Sequence, residues 1–299
     1  MVNQRVESWG KDRAAQRAQM AYCRLKGLGL ESFLCTPGST DQMTTGTAVA
    51  VILGTGWNKA MPWDEPPTDV PLADLPGFEA LGLLEGHARV LQFGWVGGRR
   101  VMALNGRVHL NEAPCDPRVA EMVRLQIELM CWAGGLRHVI LTAAVGGLSP
   151  EFSVGRFAVI DGFVTVYAPD MPLYGGEFCS PEDLLHGKHL DVAVRVVKRV
   201  NTWHPRFTPC GHVMVRGPFF EGRRYDKALL ASVGAGVVGM SILPEATVIA
   251  AVRPSIGVIG LGYVTNGPHV EHSHEANQAQ AATDVGKMKE ILAGIIAEL

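Results

Sequence analysis

Between Gly211 and Asn266 the chain carries three segments on which its reading turns: Gly217-Pro-Phe-Phe-Glu-Gly222, Val238-Gly-Met-Ser-Ile-Leu-Pro-Glu245 and Thr265-Asn266. The run His212-Val-Met-Val-Arg216 has the β-branched character of a buried strand and ends in a Gly-Pro turn. A helix is expected from Arg223 to about Ser232, a short strand at Val237-Val-Gly-Met240, and a helix from Pro244 through Ala251. Ile256 to Val264 reads as an apolar, Gly-rich strand. Three strand ends thereby deliver Glu221, Ser241 and Asn266 to one stretch, and strand ends are where α/β sheets bind ligands. Each residue also has a plainer reading: Glu221 as a first-turn carboxylate, Ser241 as a helix cap, Asn266 as turn chemistry before Gly267-Pro268.

Working outward, strands and helices alternate along the whole chain, which predicts an α/β fold, a single domain with a mixed central β-sheet flanked by helices. Ala48–Leu53 is an expected buried strand running into Gly54-Thr-Gly56. Ala88–Val96 and Arg99–Asn105 form an expected hairpin about Gly97-Gly98. His138–Ala144 and Phe157–Val166 are further strands, and Arg118–Gly134 and Asp191–Val200 are helices. Residues 61–75 read as a surface loop, Tyr167–His189 as an irregular functional or inter-subunit loop. One long helix is expected from about His274 to Leu299, capped by Ser273. Residues 1–45 read as an N-terminal helix and linker extension preceding an α/β domain over 46–299.

With 299 residues, 47% of them hydrophobic, the chain can bury a large core. A net charge of −2 with 19% charged residues offers neither a basic field for nucleic acid nor a polybasic membrane patch, which leaves small-molecule chemistry. The six cysteines lack a C-x-x-C pair and read as reduced thiols of a cytoplasmic protein. The first thirty residues contain no apolar core of a secretory signal, and no window is apolar for long enough to span a membrane.

Gly54-Thr-Gly56 lets backbone N–H groups and the Thr55 hydroxyl approach an anion, although as a motif it also fits an ordinary tight turn. Arg107 and His109 lie two apart at a strand end, so an extended backbone would point both nitrogen donors to one side, an arrangement suited to phosphate. A surface arginine beside a hydrogen-bonded histidine is the alternative.

The ordered set Gly54-Thr-Gly56, Gly106-Arg-x-His109, Ala143-Ala-x-Gly-Gly-Leu148, Gly217-Pro-x-Phe-Glu221, Val238-Gly-Met-Ser-x-x-Pro-Glu245 and Thr265-Asn266 resembles the trimeric purine nucleoside phosphorylases, within the nucleoside phosphorylase superfamily. The resemblance covers roughly residues 46–299. It implies reversible phosphorolysis of 6-oxopurine nucleosides to free base and pentose 1-phosphate in a homotrimer, with inorganic phosphate as co-substrate and no metal or organic cofactor. It further implies that Thr55, Arg107, His109, the backbone N–H of Ala144 and Ser241 bind phosphate. Phe220, Glu221, Val238, Thr265 and Asn266 would line the purine pocket, and Met240 would lie under the ribose. Asn266 would donate to N7 of the departing purine and Glu221 would accept from N1–H.

Three positions depart from the family pattern on the sugar side: Ala143 replaces an asparagine, Asn111 a ribose-contacting tyrosine, and Gln278 aligns with a histidine near the 5′-hydroxyl. These departures motivate a second reading, a non-catalytic purine- or nucleoside-binding protein, and a variant of the first with an altered sugar or 5′ group. Hydrolysis would require loss of Arg107, His109 and Ser241. His269, Glu271, His272 and His274 cluster locally without regular metal-ligand spacing and read as a solvated loop. Tyr174 or Phe178 would cap a neighbouring subunit's pocket.

Overall fold

The computed structural model describes residues 2–34, 48–78, 88–113, 115–133, 136–201, 207–215, 225–268 and 273–299. Its centre is a nine-stranded sheet. The all-apolar run Val49–Leu53 forms β1, buried along its whole length, as expected of a strand covered on both faces. Thr68–Pro71 forms β2, and Val90–Val96 and Arg99–Asn105 form the hairpin β3–β4. Its turn places Gly97 and Gly98 at φ 56° and 73°, the paired left-handed conformation that only glycine adopts at no cost. The expected surface loop at 61–75 is therefore corrected. Part of it, β2, pairs antiparallel with β3 at the sheet edge, where Pro71 removes no ladder bond that the fold needs.

The remaining strands are β5, His138–Gly147; β6, Phe157–Val164; β7, Cys210–Met214; β8, Val237–Gly239; and β9, Gly257–Asn266. β1 lies parallel between β4 and β5, and β5 runs parallel to β9. β6, β7 and β8 run the other way and connect β9 back to β5. Strands β5, β8, β7, β6 and β9 thus close on themselves as a small barrel attached to the open half of the sheet. Closure removes the unpaired edge on that side.

Seven helices cover the sheet among the described residues. They are α1 Val2–Gly27, α2 Pro117–Ala133, α3 Lys188–Val200, α4 Asp226–Ser232, α5 Leu243–Val252, α6 His274–Ala282 and α7 Val285–Glu298. Strand alternation along β1 separates two of the apolar clusters. Ala50 and Ile52 of β1 join one apolar cluster with Ala18, Ala21 and Leu25 of α1, the inner face of α2, and α5. Val49, Val51 and Leu53 face a second cluster with Val196 of α3 and Met288, Ile291 and Ile295 of α7. The single long helix expected from His274 onward is instead two. Ser273 caps α6 by accepting from the Ala276 N–H at 3.1 Å, but the helix stops where the Thr283 hydroxyl donates to Gln280 O at 2.7 Å. Asp284 then accepts from the Tyr263 hydroxyl at 2.8 Å. The first is a local side-chain-to-backbone bond that competes with helix propagation; the second ties the break to β9.

Candidate active site

The parallel strands β1, β4, β5 and β9 end on the same side of the sheet, and the chain segments leaving them build one cluster. At the end of β1 the Gly54 N–H donates to Thr142 Oγ1 at 3.1 Å, and that hydroxyl donates to Ile52 O at 2.9 Å. A Cβ on Gly54 would lie 2.4 Å from Thr142 O and 2.8 Å from Arg107 Nη2, so glycine is required by close approach here. Gly56, at φ 82°, lies against α6, where a Cβ would meet Ala281 Cβ at 2.2 Å. Thr55, half-buried, occupies the tip between them. Trp57 Nε1 closes the turn by donating to Ala143 O at 3.1 Å.

Arg107 and His109 do not share the strand expected of them. β4 ends at Asn105, and Gly106 at φ 78° turns the chain. Arg107 then enters the interior, 1% exposed. Its Nη1 donates to Glu245 Oε1 at 2.6 Å and its Nη2 to Thr142 O, while Nε has no hydrogen-bond partner among the described residues. The guanidinium therefore faces the carboxylate of the Val-Gly-Met-Ser-x-x-Pro-Glu motif and ties the segment leaving β4 to the middle of β5 and to the first turn of α5. Gln126 of α2 clamps the next residue on both sides, accepting from Val108 N–H at 2.8 Å and donating to Val108 O at 3.1 Å.

His109 is half-buried with an extended backbone. Its Nδ1 accepts from the Asn111 N–H at 3.1 Å. In the neutral ring this places the proton on Nε2, which makes that atom a donor. Glu112 in turn accepts from the His109 N–H at 2.7 Å, a reciprocal capping pair, and its other oxygen accepts from Arg89 Nη2 at 2.6 Å.

Ser241 approaches this group from β8. Because β8 runs antiparallel to β5, with Val238 opposite Gly146, residues beyond Gly239 pass back toward Ala144. A Cβ on Gly239 would lie 3.8 Å from Ala144 O. Ser241 does not cap α5. The N-cap position is Ile242, and no side chain caps the helix. Ile242 is buried at φ 76°, which for a β-branched residue is a true outlier costing about 1–3 kcal/mol. The strain accompanies the turn that carries Met240 and Ser241.

On the opposite flank β9 slips by one residue against β5: Val145 faces Val264, Gly146 faces Asn266, and Thr265 is the extra residue of a bulge. The Thr265 hydroxyl makes a long 3.4 Å contact to Val145 O, and Asn266 Nδ2 a 3.4 Å contact to Thr265 Oγ1. Val238 is fully buried beside them. Lys227, on α4 and 1% exposed, donates from Nζ to Asn266 Oδ1 and, at 3.0 Å, to Gly267 O. Asn111 Nδ2 donates to Met240 Sδ at 3.0 Å, which joins two of the expected ribose-side residues; Gln278 is half-buried on α6.

Phe220, Glu221, His269, Glu271 and His272 lie outside the described residues, as does the side chain of His274. Several residues near this site gave no signal in sequence. Lys227 reads as a solvated helix charge and Gln126 as an ordinary α2 polar position. His212 of β7 is wholly buried in the barrel, with an edge-on Phe163 ring centroid 6.1 Å away, and neither ring nitrogen has a partner among the described residues. Burial pushes its pKa down to about 3.

A family model described as phosphorylase superfamily matches residues 48–297. Purine nucleoside phosphorylase of Mycobacterium tuberculosis is 31% identical over 256 residues, covering 83% of this chain and 88% of that protein. This chain belongs to the phosphorylase superfamily. The rat purine nucleoside phosphorylase is 27% identical over 80% of this chain and 83% of its own. Among solved superfamily structures, isoform 2 of Schistosoma mansoni purine nucleoside phosphorylase, in complex with cytosine and ribose-1-phosphate, superposes with a TM-score of 0.78 at 22% identity, covering 95% and 96% of the two chains. The Schistosoma mansoni enzyme in complex with inosine gives 0.77 at 21%, covering 95% and 96%. The superfamily fold thus extends over nearly the whole chain.

Proposed function

We propose that this protein is a purine nucleoside phosphorylase that cleaves 6-oxopurine ribo- or deoxyribonucleosides, with inorganic phosphate as co-substrate and without a metal or organic cofactor. The observation that carries the reading is the arrangement, at one end of the parallel strands, of the Gly54-Thr55-Gly56 turn, His109, Ala144 and Ser241 on one flank and Thr265-Asn266 on the other.

The residue chemistry supports it. Breaking an N-glycosidic bond develops positive charge on the sugar and negative charge on the leaving purine. A phosphate between the glycine turn and Ser241 would receive backbone N–H donors, hydroxyls and His109 Nε2–H. Arg107, already matched by Glu245, would contribute by tying the segment after β4 to β5 and α5. Asn266 would donate to N7, where the leaving-group charge accumulates, and Glu221 would accept from N1–H. Asn111 and Met240 would face the sugar.

The reading also includes a cytoplasmic homotrimer. No helix among the described residues is long and apolar enough to cross a membrane. Tyr174 is held inside its own chain, with the Arg124 guanidinium 4.0 Å from its ring centroid, whereas Phe178 is fully exposed and free to reach a neighbouring copy. Assay of base release with each nucleoside, with and without phosphate, tests the function. Phosphate-independent hydrolysis, or nucleoside binding without turnover, would overturn it.

A further inference from the structure

Lys227 is a buried lysine on the first turn of α4, and its Nζ is aimed at Asn266 Oδ1 and Gly267 O. A lysine amino group in this position donates to both oxygens, so it settles which way the Asn266 amide faces. Oδ1 is turned to Nζ, and Nδ2 is left as the donor on the other side. An asparagine without such a partner exposes either end of its amide to a ligand at little cost. Here the wrong orientation would set the amide NH2 against the lysine N–H donors in a site from which water is excluded, which is strongly disfavoured.

We propose that Lys227 is the positioning residue for leaving-group stabilisation: it fixes the Asn266 amide so that Nδ2 donates to N7 of the departing purine, and its charge strengthens that donor as negative charge develops on the base. The inference rests on the phosphorolysis reading of the site. Its effect falls on the transition state, since N7 becomes a strong acceptor only as the glycosidic bond breaks.

The test compares wild type, Lys227→Met, Lys227→Arg, Asn266→Ala and the Lys227→Met/Asn266→Ala double variant, with melting temperatures recorded for each. Substrates are inosine and 7-methylguanosine in phosphate buffer. The 7-methylguanosine ring is already cationic, and its N7 accepts no hydrogen bond, so its cleavage gains nothing from a donor there. Lys227→Met should lower kcat on inosine on the order of 10- to 100-fold, the size found when the partner that orients a working group is removed. The loss on 7-methylguanosine should be within a few-fold, and Lys227→Arg should recover part of the inosine rate. In the Asn266→Ala background Lys227→Met should cost nothing further, because its effect passes through Asn266. Equal losses on both substrates, additive losses in the double variant, or an unchanged inosine rate would each overturn the role of Lys227. If wild type itself fails to release base with phosphate, the phosphorolysis reading falls and the inference falls with it, so the two failures are distinguishable.

Discussion

At the scale of single residues, the site is held by polar groups whose partners lie far apart in sequence. Arg107 and Glu245 are 2% exposed at their side chains and separated by 2.6 Å. Removing either partner leaves a buried charge uncompensated, so Glu245→Ala is expected to destabilise the fold by roughly 3–5 kcal/mol. Urea denaturation of the variant checks this; a loss within 1 kcal/mol would mean that the pair is better solvated than its burial indicates. Asn266→Ala should lower kcat by about 2.7–4 kcal/mol of barrier stabilisation, as for loss of a transition-state donor, while phosphate binding by calorimetry is retained. Equal turnover in that variant would remove the proposed base contact. His212 gives a pH prediction. Its folded pKa, about 3, is below its ordinary value near 6.5, so as pH falls through that window the unfolded chain takes up a proton that the folded one refuses. Stability present above pH 6.5 is therefore lost progressively toward pH 3, by about 2 kcal/mol between pH 7 and 5 from this group alone. His212→Phe should flatten that part of the profile in chemical denaturation at the two pH values.

At the scale of elements, the turn after β1 meets α6 through Gly56, where a side chain would collide with Ala281. Gly56→Ala also forces a left-handed backbone on alanine, and it should both destabilise the protein, by more than 1 kcal/mol, and raise the KM for phosphate by displacing Thr55. An unchanged KM would place Thr55 outside the phosphate contacts. Much of this scale was legible in the chain. Gly97-Gly98 specified the hairpin, the apolar runs specified β1, β5 and β9, and Ser273 specified the start of α6. The failures have physical causes. β2 was hidden by the prolines and aspartates that an edge strand tolerates, and the α6–α7 break depends on Asp284 meeting Tyr263, a contact between residues 21 apart. The sharp turn at Gly106 sent Arg107 inward, where an extended backbone would have kept it beside His109. Lys227 escaped notice because a lysine on a helix is ordinarily solvated, and only the tertiary contact between α4 and the end of β9 buries it against Asn266.

At the scale of the whole molecule, the closed barrel and the open half-sheet meet along β5, which carries Ala144, proposed for the phosphate side, and pairs through Gly146 with both Val238 and Asn266. In the proposed reading one strand would thereby set the spacing between nucleophile and leaving group. The measurement that bears most directly on this account is purine release from inosine and guanosine by the full-length protein, with and without inorganic phosphate. Release that requires phosphate and yields pentose 1-phosphate is the predicted result; release without phosphate, or stabilising nucleoside binding with no turnover, would contradict it.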